Sequence, residues 1–318
     1  MEQRRSGRQK CSKGGEKLIR ISQLKLPITH TKAQLEKKIA KTLKNPGNSF
    51  TYEIRKQSLD CRHKNDKIFV YTVDVTIRDE QKLAKKVNNN NIMLTKEKPY
   101  EFPSPGETPL LHSPVIVGSG PAGLFCGWYL AKAGYCPIIL ERGEEAEKRQ
   151  KTVENFWKNG VLDSESNVQF GEGGAGTFSD GKLNTLVKDP YGRNHEVLKR
   201  FVAAGAPEEI IYQQKPHLGT DVLVGIVEKM RHEIEEMGGK FCFRSKVTDL
   251  IFENNTLKEI EINNDKRIPA QVCVLAPGHS ARDTFEMLQK RGVYMEPKSF
   301  AVGLRIEHPQ EIGRASCR

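Results

Sequence analysis

The chain has 318 residues, of which 37% are hydrophobic and 29% are charged, and its formal net charge at pH 7 is +11. This length is sufficient for two domains, and the composition excludes wholesale disorder. No apolar run approaches the roughly 20 residues of a membrane span, and the basic N-terminus has no apolar core of the kind that follows in a secretory signal.

The seven cysteines form no CxxC pair and have no metal-ligand spacing. Scattered cysteines of this kind are typical of reduced thiols, so we expect a cytoplasmic protein without a metal site. The absence of a paired cysteine motif also argues against a disulfide reductase, which needs a redox-active pair.

The positive charge is concentrated in the N-terminal third of the chain. Residues 1–100 hold 24 Lys and Arg against 10 Asp and Glu, whereas the remainder holds 27 against 30. This asymmetry has two interpretations. The N-terminal third is either a solvated basic surface or a module that contacts an acidic partner such as RNA.

Local patterns predict a small basic module at residues 17–98. A polar, basic tail over 1–16 precedes it, which we expect to be disordered, and a Pro-rich linker over 99–112 follows it. The predicted elements are strand 18–26, helix 31–43, strand 50–54 and strand 68–77. Their order, β-α-β-β, predicts a small α+β unit.

The most informative segment begins with the apolar run Val115 to Val117, which runs directly into Gly118-Ser-Gly-Pro-Ala-Gly123. A helical pattern follows, and a second apolar run ends at Glu141. This succession of strand, glycine turn, helix, strand and acid is the unit that binds a dinucleotide. The predicted cofactor-binding residues in it are Gly118, Gly120, Pro121, Ala122, Gly123, Glu141 and Arg142.

Each position in this unit has a physical reason. Gly118 allows the tight turn, Gly120 lets the backbone approach a pyrophosphate, and Gly123 lets the helix pack close to the strand. The helix N-terminus offers free N–H groups to the phosphates, and the Glu141 carboxylate can accept hydrogen bonds from ribose hydroxyls.

The cofactor could be NAD or FAD, and two features favour FAD. The chain returns through a predicted β-meander to an apolar strand that ends in Ala276-Pro-Gly278, where small residues would let the backbone pass near the dinucleotide. Together with the glycine turn and Glu141, this resembles the glutathione-reductase-type FAD-binding fold. We place Ala276 and Gly278 among the cofactor-binding residues, with Val247 at the start of the meander.

A second glycine-rich run, Gly171-Glu-Gly-Gly-Ala-Gly176, also fits GxGxxG, but no helix pattern follows it. It is either a plain flexible loop or a loop whose N–H groups face the cofactor, since glycines let a backbone lie flat against a ligand. On the second interpretation its cofactor-binding residues are Gly173, Gly174, Ala175 and Gly176.

The C-terminal two thirds are predicted to be an α/β, Rossmann-like FAD-binding domain over 113–291, with a helical insert at about 191–238. Residues 292–311 would begin a truncated substrate or C-terminal domain, and 312–318 read as a sequencing-adapter artefact. The predicted helices lie at about 142–158, 193–204, 221–237 and from 280, and the predicted strands at 241–244, 246–252, 257–262 and 267–275.

Three segments, 167–183, 216–221 and 275–284, resemble the bacterial and plastid family of uncharacterised FAD-dependent dehydrogenases, also labelled NAD(P)/FAD-dependent oxidoreductases. The resemblance runs from about Leu18 to about Pro309. It implies FAD binding and an oxidoreductase role on a small-molecule substrate, with NAD(P)H as a possible electron donor, but no particular substrate. Family members look longer at the C-terminus, where a further stretch should complete the flavin site.

The sequence identifies no catalytic residue. His217 and His279 are either general acids or structural hydrogen-bonding groups, and Lys182 and Arg282 either bind an anion or are solvated. The leading hypothesis is an FAD-dependent oxidoreductase. The alternative is a flavin-containing binding protein whose basic N-terminal module contacts RNA or another polyanion.

Overall fold

The computed structural model describes a chain of two parts, an N-terminal α+β module and a C-terminal α/β domain. The described residues are 17–44, 49–62, 67–78, 80–87, 89–96, 100–179, 181–183, 185, 187–304, 306–309 and 311–312. The tail predicted to be disordered, 1–16, lies outside them, as does the predicted adapter segment beyond Ile312. Within the described residues, no helix combines the length and the apolar character needed to cross a bilayer.

The N-terminal module contains a four-stranded antiparallel sheet. Its elements are β1 (Lys17–Pro27), α1 (Lys32–Thr42), β2 (Thr51–Asp60), β3 (Ile68–Thr76), α2 (Glu80–Val87) and β4 (Ile92–Lys96). The strand order β2-β3-β1-β4 with antiparallel neighbours is that of the split β-α-β, or ferredoxin-like, arrangement. The sequence predicted the first four elements and missed α2 and β4, so the order is β-α-β-β-α-β.

The module folds because α1 covers one face of this sheet. Leu35, Ile39 and Leu43 recur at helical spacing and are buried against Ile19 and Val73. A bulge in β1 shifts its register between Ile21 and Leu24, with Gln23 at φ 58°. The bulge keeps apolar residues on the covered face in both halves of the strand, because one extra residue reverses the alternation.

The second part is a Rossmann-like domain, which confirms the predicted fold class. Its elements are β5 (Val115–Val117), α3 (Pro121–Lys132), β6 (Ile138–Leu140), α4 (Ala146–Asn159), a 3₁₀-helix (Gly174–Phe178), α5 (Arg193–Ala203), a second 3₁₀-helix (Glu208–Ile211), α6 (Thr220–Glu236), β7 (Lys240–Cys242), β8 (Val247–Glu253), β9 (Thr256–Ile262), β10 (Lys266–Pro269), β11 (Cys273–Leu275) and α7 (Arg282–Lys290). A parallel sheet has the order β11-β5-β6-β7, and β8, β9 and β10 form the antiparallel meander.

One local expectation needs correction, because the predicted strand 267–275 is two strands, β10 and β11, which belong to different sheets. The helix α6 begins after Gly219, which provides no side-chain cap. It packs on α3 within one hydrophobic cluster and so contributes to the core of the Rossmann-like domain.

A short segment links the two parts by main-chain hydrogen bonds. The Gln57 N–H in β2 donates to the Tyr212 carbonyl at 2.7 Å, and the Gln214 N–H donates to the Gln57 carbonyl at 3.0 Å. Further along, the Leu218 N–H donates to the Gly181 carbonyl at 2.8 Å. The segment 212–218 therefore joins the edge of the N-terminal sheet to the chain that leaves the glycine-rich run.

Candidate dinucleotide-binding site

A cavity of about 330 Å³ lies at the carboxyl ends of β5 and β11. The chain leaves β5 toward β6 on one side, and β11 returns to the other side of β5. Such a reversal of strand order leaves a crevice at the carboxyl ends, where open α/β sheets bind their ligands. The position of this cavity therefore follows from the topology as well as from its lining.

Two glycines of the first turn are required by close packing. Gly118 has φ 98°, and a Cβ there would lie 2.3 Å from the Ala276 carbonyl oxygen. A Cβ on Gly123 would lie 1.9 Å from the Gly118 carbonyl oxygen. Side chains at either position would push apart the turn, the helix and β11, so both glycines fulfil the packing roles expected of them.

Gly120 differs from these two glycines. It is the N-cap of α3 in extended backbone, and a Cβ there would meet only Gly174 Cα, at 3.9 Å. Gly120, Pro121 and Ala122 line the cavity. The fold itself would tolerate a side chain at residue 120, and the cavity is what that side chain would fill.

Glu141 lies at the end of β6 and is 4% exposed. Its Oε2 accepts hydrogen bonds from the Ser119 N–H at 2.9 Å and from the Ser119 hydroxyl at 2.7 Å, and its Oε1 accepts one from the Gly143 N–H at 2.8 Å. The carboxylate thus braces the glycine turn and also lines the cavity. Each carboxylate oxygen can accept more than one hydrogen bond, so capacity remains for hydroxyls of a ligand.

Arg142 also lines the cavity, but its charge is paired with two acidic side chains. Its guanidinium donates to Glu165 Oε2 at 2.7 Å and forms a bidentate pair with Asp283 at 2.9 and 2.8 Å. Lys246 contacts the same two carboxylates. Hydrogen bonding from Arg142, reinforced by Lys246, holds the pKa of Asp283 well below its usual range. Arg142 is therefore part of a four-charge cluster that joins α7 to the cavity wall.

The glycine-rich run forms a 3₁₀-helix from Gly174 to Phe178 instead of the expected loop. Gly174 and Ala175 line the cavity, whereas a Cβ on Gly173 would point at Thr177 and one on Gly176 would point toward Leu223. Of the four predicted residues, two face the site and two pack behind it. The Gly173 N–H donates to the Ser119 carbonyl at 3.0 Å, which ties this run to the first glycine turn.

Sequence reasoning missed Arg149, which is 1% exposed in α4. Its guanidinium donates to main-chain carbonyls of the glycine-rich run and of the residues just before it, at Asn167 (2.9 Å), Val168 (3.0 Å), Glu172 (2.7 Å) and Gly174 (2.9 Å). Burial lowers the pKa of Arg149 to about 10, so the group stays protonated at neutral pH. A buried charge satisfied by carbonyls in this way fixes the backbone that surrounds it.

Glu172 completes the support behind the run. It is fully buried, accepts a hydrogen bond from the Ala146 N–H at the start of α4 at 2.8 Å, and pairs with Arg231 at 2.7 Å. Burial is the largest influence on this carboxyl and raises its pKa despite these partners. The run is thus anchored to both α4 and α6.

The remaining predicted residues fall into two groups. Ala276, Gly278 and Val247 line the cavity, as does His279. His217 and Lys182 do not line it; they form an isolated bridge that joins segment 212–218 to the residues after the glycine-rich run.

The Cys273 thiol in β11 is partly buried, and burial raises its pKa to about 11, which disfavours a thiolate nucleophile at neutral pH.

Comparisons with known families match each part of the chain separately. Residues 116–160 match the family described as an NAD(P)-binding Rossmann-like domain. Residues 18–76 match a family described as a domain of unknown function (DUF8436). The fold and the family matches together define the class of this protein. It is an α/β protein in which a Rossmann-like nucleotide-binding domain follows an N-terminal antiparallel module.

A relative described as "Uncharacterized protein", from Clostridium beijerinckii, is 45% identical over 295 residues, which cover 92% of this chain and 55% of the relative. The chain thus spans about half the length of that relative.

Among solved structures, Thermovibrio ammonificans THI4 overlaps 57% of this chain and 62% of its own, at 22% identity and TM-score 0.38. L-proline dehydrogenase from P. horikoshii overlaps 58% and 56%, at 16% identity and TM-score 0.33. TM-scores in this range describe partial overlaps, and no functional conclusion follows from them.

Proposed function

We propose that the chain binds FAD and forms the flavin-binding part of an oxidoreductase that acts on a small-molecule substrate. One observation carries the proposal. The cavity at the carboxyl ends of β5 and β11 brings together the glycine turn, the buried Glu141 and the strand end Ala276 to Gly278. These three segments are separate in sequence, and a dinucleotide requires all three at one place.

On this proposal, each wall of the cavity would hold a different part of FAD. The N-terminus of α3 would hold the pyrophosphate beside Gly120, because its first N–H groups have no partner within the helix and carry a partial positive charge. Glu141 would hold the ribose hydroxyls, and its charge would repel the 2′-phosphate of NADP. Gly174 and Ala175 would lie against the flavin side of the cofactor.

Bound FAD would supply the electron transfer, and the protein would bind, orient and shield it. His279 also lines the cavity, beside Gly278, and would be available there to exchange a proton with a substrate. The choice of FAD over NAD rests on the meander, on the strand end at Ala276 and on the family resemblance of the glycine-rich run.

The direct test is a titration of the purified 318-residue chain with FAD, NAD⁺ and NADP⁺ in parallel. We expect saturable uptake of FAD, retained through gel filtration as visible flavin absorption, with much weaker binding of the two nicotinamide cofactors. A protein that stays colourless after reconstitution and binds NAD⁺ more tightly than FAD would contradict the proposal.

The electron donor is tested separately, on the FAD-loaded chain and on a chain as long as the Clostridium relative. Rapid mixing with NADH and then with NADPH, under anaerobic conditions, should bleach the flavin absorption if one of them is the donor. Bleaching only in the longer chain would assign donor docking to residues that only the longer chain contains. An absence of bleaching in both would favour a protein donor.

A further inference from the structure

A second and larger cavity, of about 920 Å³, lies in the N-terminal module between α1 and the start of β2. It is distant in sequence from every wall of the proposed flavin site. We call it the α1–β2 groove. Its lining residues are Ala33, Glu36, Lys37, Ala40, Lys41, Lys44, Ser49, Phe50 and Tyr52.

Three lysines and one glutamate, Glu36, line this groove, so its charge is net positive. Lys37 and Lys41 lie four residues apart on one side of α1, Lys44 follows just after the helix ends at Thr42, and all three border the groove. Across the residues that the structure describes, none of the three forms an ion pair. Their charge is therefore available to a ligand.

The opposite face of the same sheet is different. There Asp74 pairs with Arg20 at 2.7 Å and with Arg55 at 2.7 Å, so two of the module's arginines are compensated internally. These two arginines differ in that respect from the three lysines that border the groove.

The other wall of the groove carries two aromatic rings. Phe50 and Tyr52 have centroids 6.3 Å apart and an interplanar angle of 49°, and both are only partly buried. Phe69 and Tyr71 pack against each other and against His30; Tyr71 is buried, and Phe69 is partly buried like the two groove rings. All four rings contact the same hydrophobic cluster, and Phe50 and Tyr52 are the two that also line the groove.

We propose that the α1–β2 groove binds single-stranded nucleic acid, with Lys37, Lys41 and Lys44 on the phosphates and with Phe50 and Tyr52 against the bases. A positively charged groove edged by aromatic rings is how proteins hold single strands without sequence preference. An acidic peptide would use the lysines but would leave the rings without a matching partner. A duplex would hide its bases from those rings.

The experiment measures fluorescence anisotropy of a labelled oligo(U) of about 12 nucleotides against the full chain, over a series of salt concentrations. Each phosphate contact on a single strand contributes about 0.7 to the slope of log K against log salt. The triple variant Lys37→Ala, Lys41→Ala, Lys44→Ala should therefore lower that slope by about 2 and weaken binding at low salt at least tenfold.

A matched control removes the same charge elsewhere in the module. Lys25, Lys32 and Lys38 are exposed and do not line the groove, and Lys38 lies on another side of the same helix. We expect the variant Lys25→Ala, Lys32→Ala, Lys38→Ala to change the slope by much less than the groove variant. Phe50→Leu keeps an apolar side chain but removes the ring, and it should weaken binding by about tenfold with the slope unchanged.

The outcomes separate the alternatives. Equal losses in the two triple variants would show a diffuse charge effect and would overturn the proposal, as would the absence of saturable binding. Equal competition by polyglutamate of matched charge would assign the groove to an acidic protein. Similar affinity for oligo(U) and oligo(dT) would support the proposal and would show that the groove does not distinguish RNA from DNA.

If circular dichroism shows the groove variant unfolded, Lys41→Gln alone should still reduce the slope by about 0.7. None of these readouts depends on FAD, so failure here and failure of the flavin proposal are distinguishable.

Discussion

Arg149 crosses Gly171 so closely that a Cβ on residue 171 would lie 2.4 Å from Arg149 Cδ. Only a residue without a Cβ leaves room at position 171 for the Arg149 side chain. A buried guanidinium bonded to surrounding carbonyls can hold a backbone in one conformation, but only if the backbone lets the side chain pass. This relationship makes Arg149 a positioning residue for the wall that Gly174 and Ala175 present to the cavity.

We expect Arg149→Met to destabilise the protein by about 3 kcal/mol or more, because it leaves several buried carbonyls without donors. FAD affinity should fall as well, since the glycine-rich run loses its support. Arg149→Lys keeps the charge but cannot reach carbonyls on several sides, so it should recover only part of the loss. Urea unfolding and FAD titration of both variants are the measurements.

Lys148→Met is the control for this series. Lys148 lies next to Arg149 on α4, is exposed, and has only a surface ion pair with Glu145. Exposed pairs of this kind contribute little, so stability and FAD affinity should stay close to those of the parent. A full-strength FAD site in Arg149→Met would show that the arginine has no influence on the cavity.

Two glycine substitutions should separate folding from binding. Gly120→Ala places its Cβ in ordinary contact with Gly174, so the unfolding free energy should change by less than about 1 kcal/mol. Its FAD affinity should nevertheless fall, because the new methyl group occupies the approach to the pyrophosphate. Gly123→Ala collides with the Gly118 carbonyl and should be destabilised by several times as much. Unchanged FAD affinity in Gly120→Ala would remove the glycine turn from the proposed site.

Substitution of Glu141 should affect both cofactor and turn. Glu141→Ala removes the acceptor for ribose hydroxyls, a charge-assisted interaction of roughly 1.5–3 kcal/mol, so FAD affinity should weaken by about one to two decades. It also leaves the Ser119 and Gly143 N–H groups without their acceptor, which predicts a measurable loss of stability.

The control for Glu141 is Glu147→Ala, which removes an exposed carboxylate from α4. Isothermal titration with FAD and urea unfolding of the two variants should show the difference only for Glu141. Tight FAD binding in both variants would mean that residues 115–142 do not form the cofactor site.

The N-terminal module should carry an acid-sensitive contribution from Asp74. Burial alone would raise the pKa of this carboxyl, but hydrogen bonds from Arg20 and Arg55 outweigh burial and leave the pKa below its usual value of 3.8. An acid with a depressed folded pKa stabilises the protein above its unfolded pKa. That contribution is lost as the pH falls through the folded value.

We therefore expect Asp74→Asn to cost about 2–3 kcal/mol at neutral pH, because two arginines lose their partner. The difference between parent and variant should shrink as the pH falls from about 5 to 2. Urea unfolding at several pH values measures it. A difference that stays constant over that range would show that the carboxylate charge is not responsible.

The sequence predicted β5, α3 and β6 well because local signals coincide there. An apolar run, three glycines at fixed spacing and a terminal acid all lie within about 27 residues and leave few alternatives. The missed elements lack such signals. The helix α2 has eight residues, of which half are charged, and the edge strand β4 places Ile92, Met93 and Leu94 in succession, without alternation.

Arg149 was missed for a different reason. An arginine in a charged helix is usually solvated, and its burial arises only when residues 167–177 fold around it. One signal was present in the sequence: Ala146, Arg149 and Val153 share the buried stripe of α4 at helical spacing.

Arg142 is neutralised by Glu165 and Asp283, which lie far from it in sequence. No local pattern indicates these tertiary contacts.

Segment 212–218 also bears on the mechanics of the chain. It is bonded through its main chain to Gln57 in β2 at one end and to Gly181 at the other. Pulling the N-terminal module away would either break the bonds at Gln57 or transmit the force to the residues that follow the glycine-rich run. The Pro-rich linker is a second, covalent connection between the same two parts, in parallel with this hydrogen-bonded one.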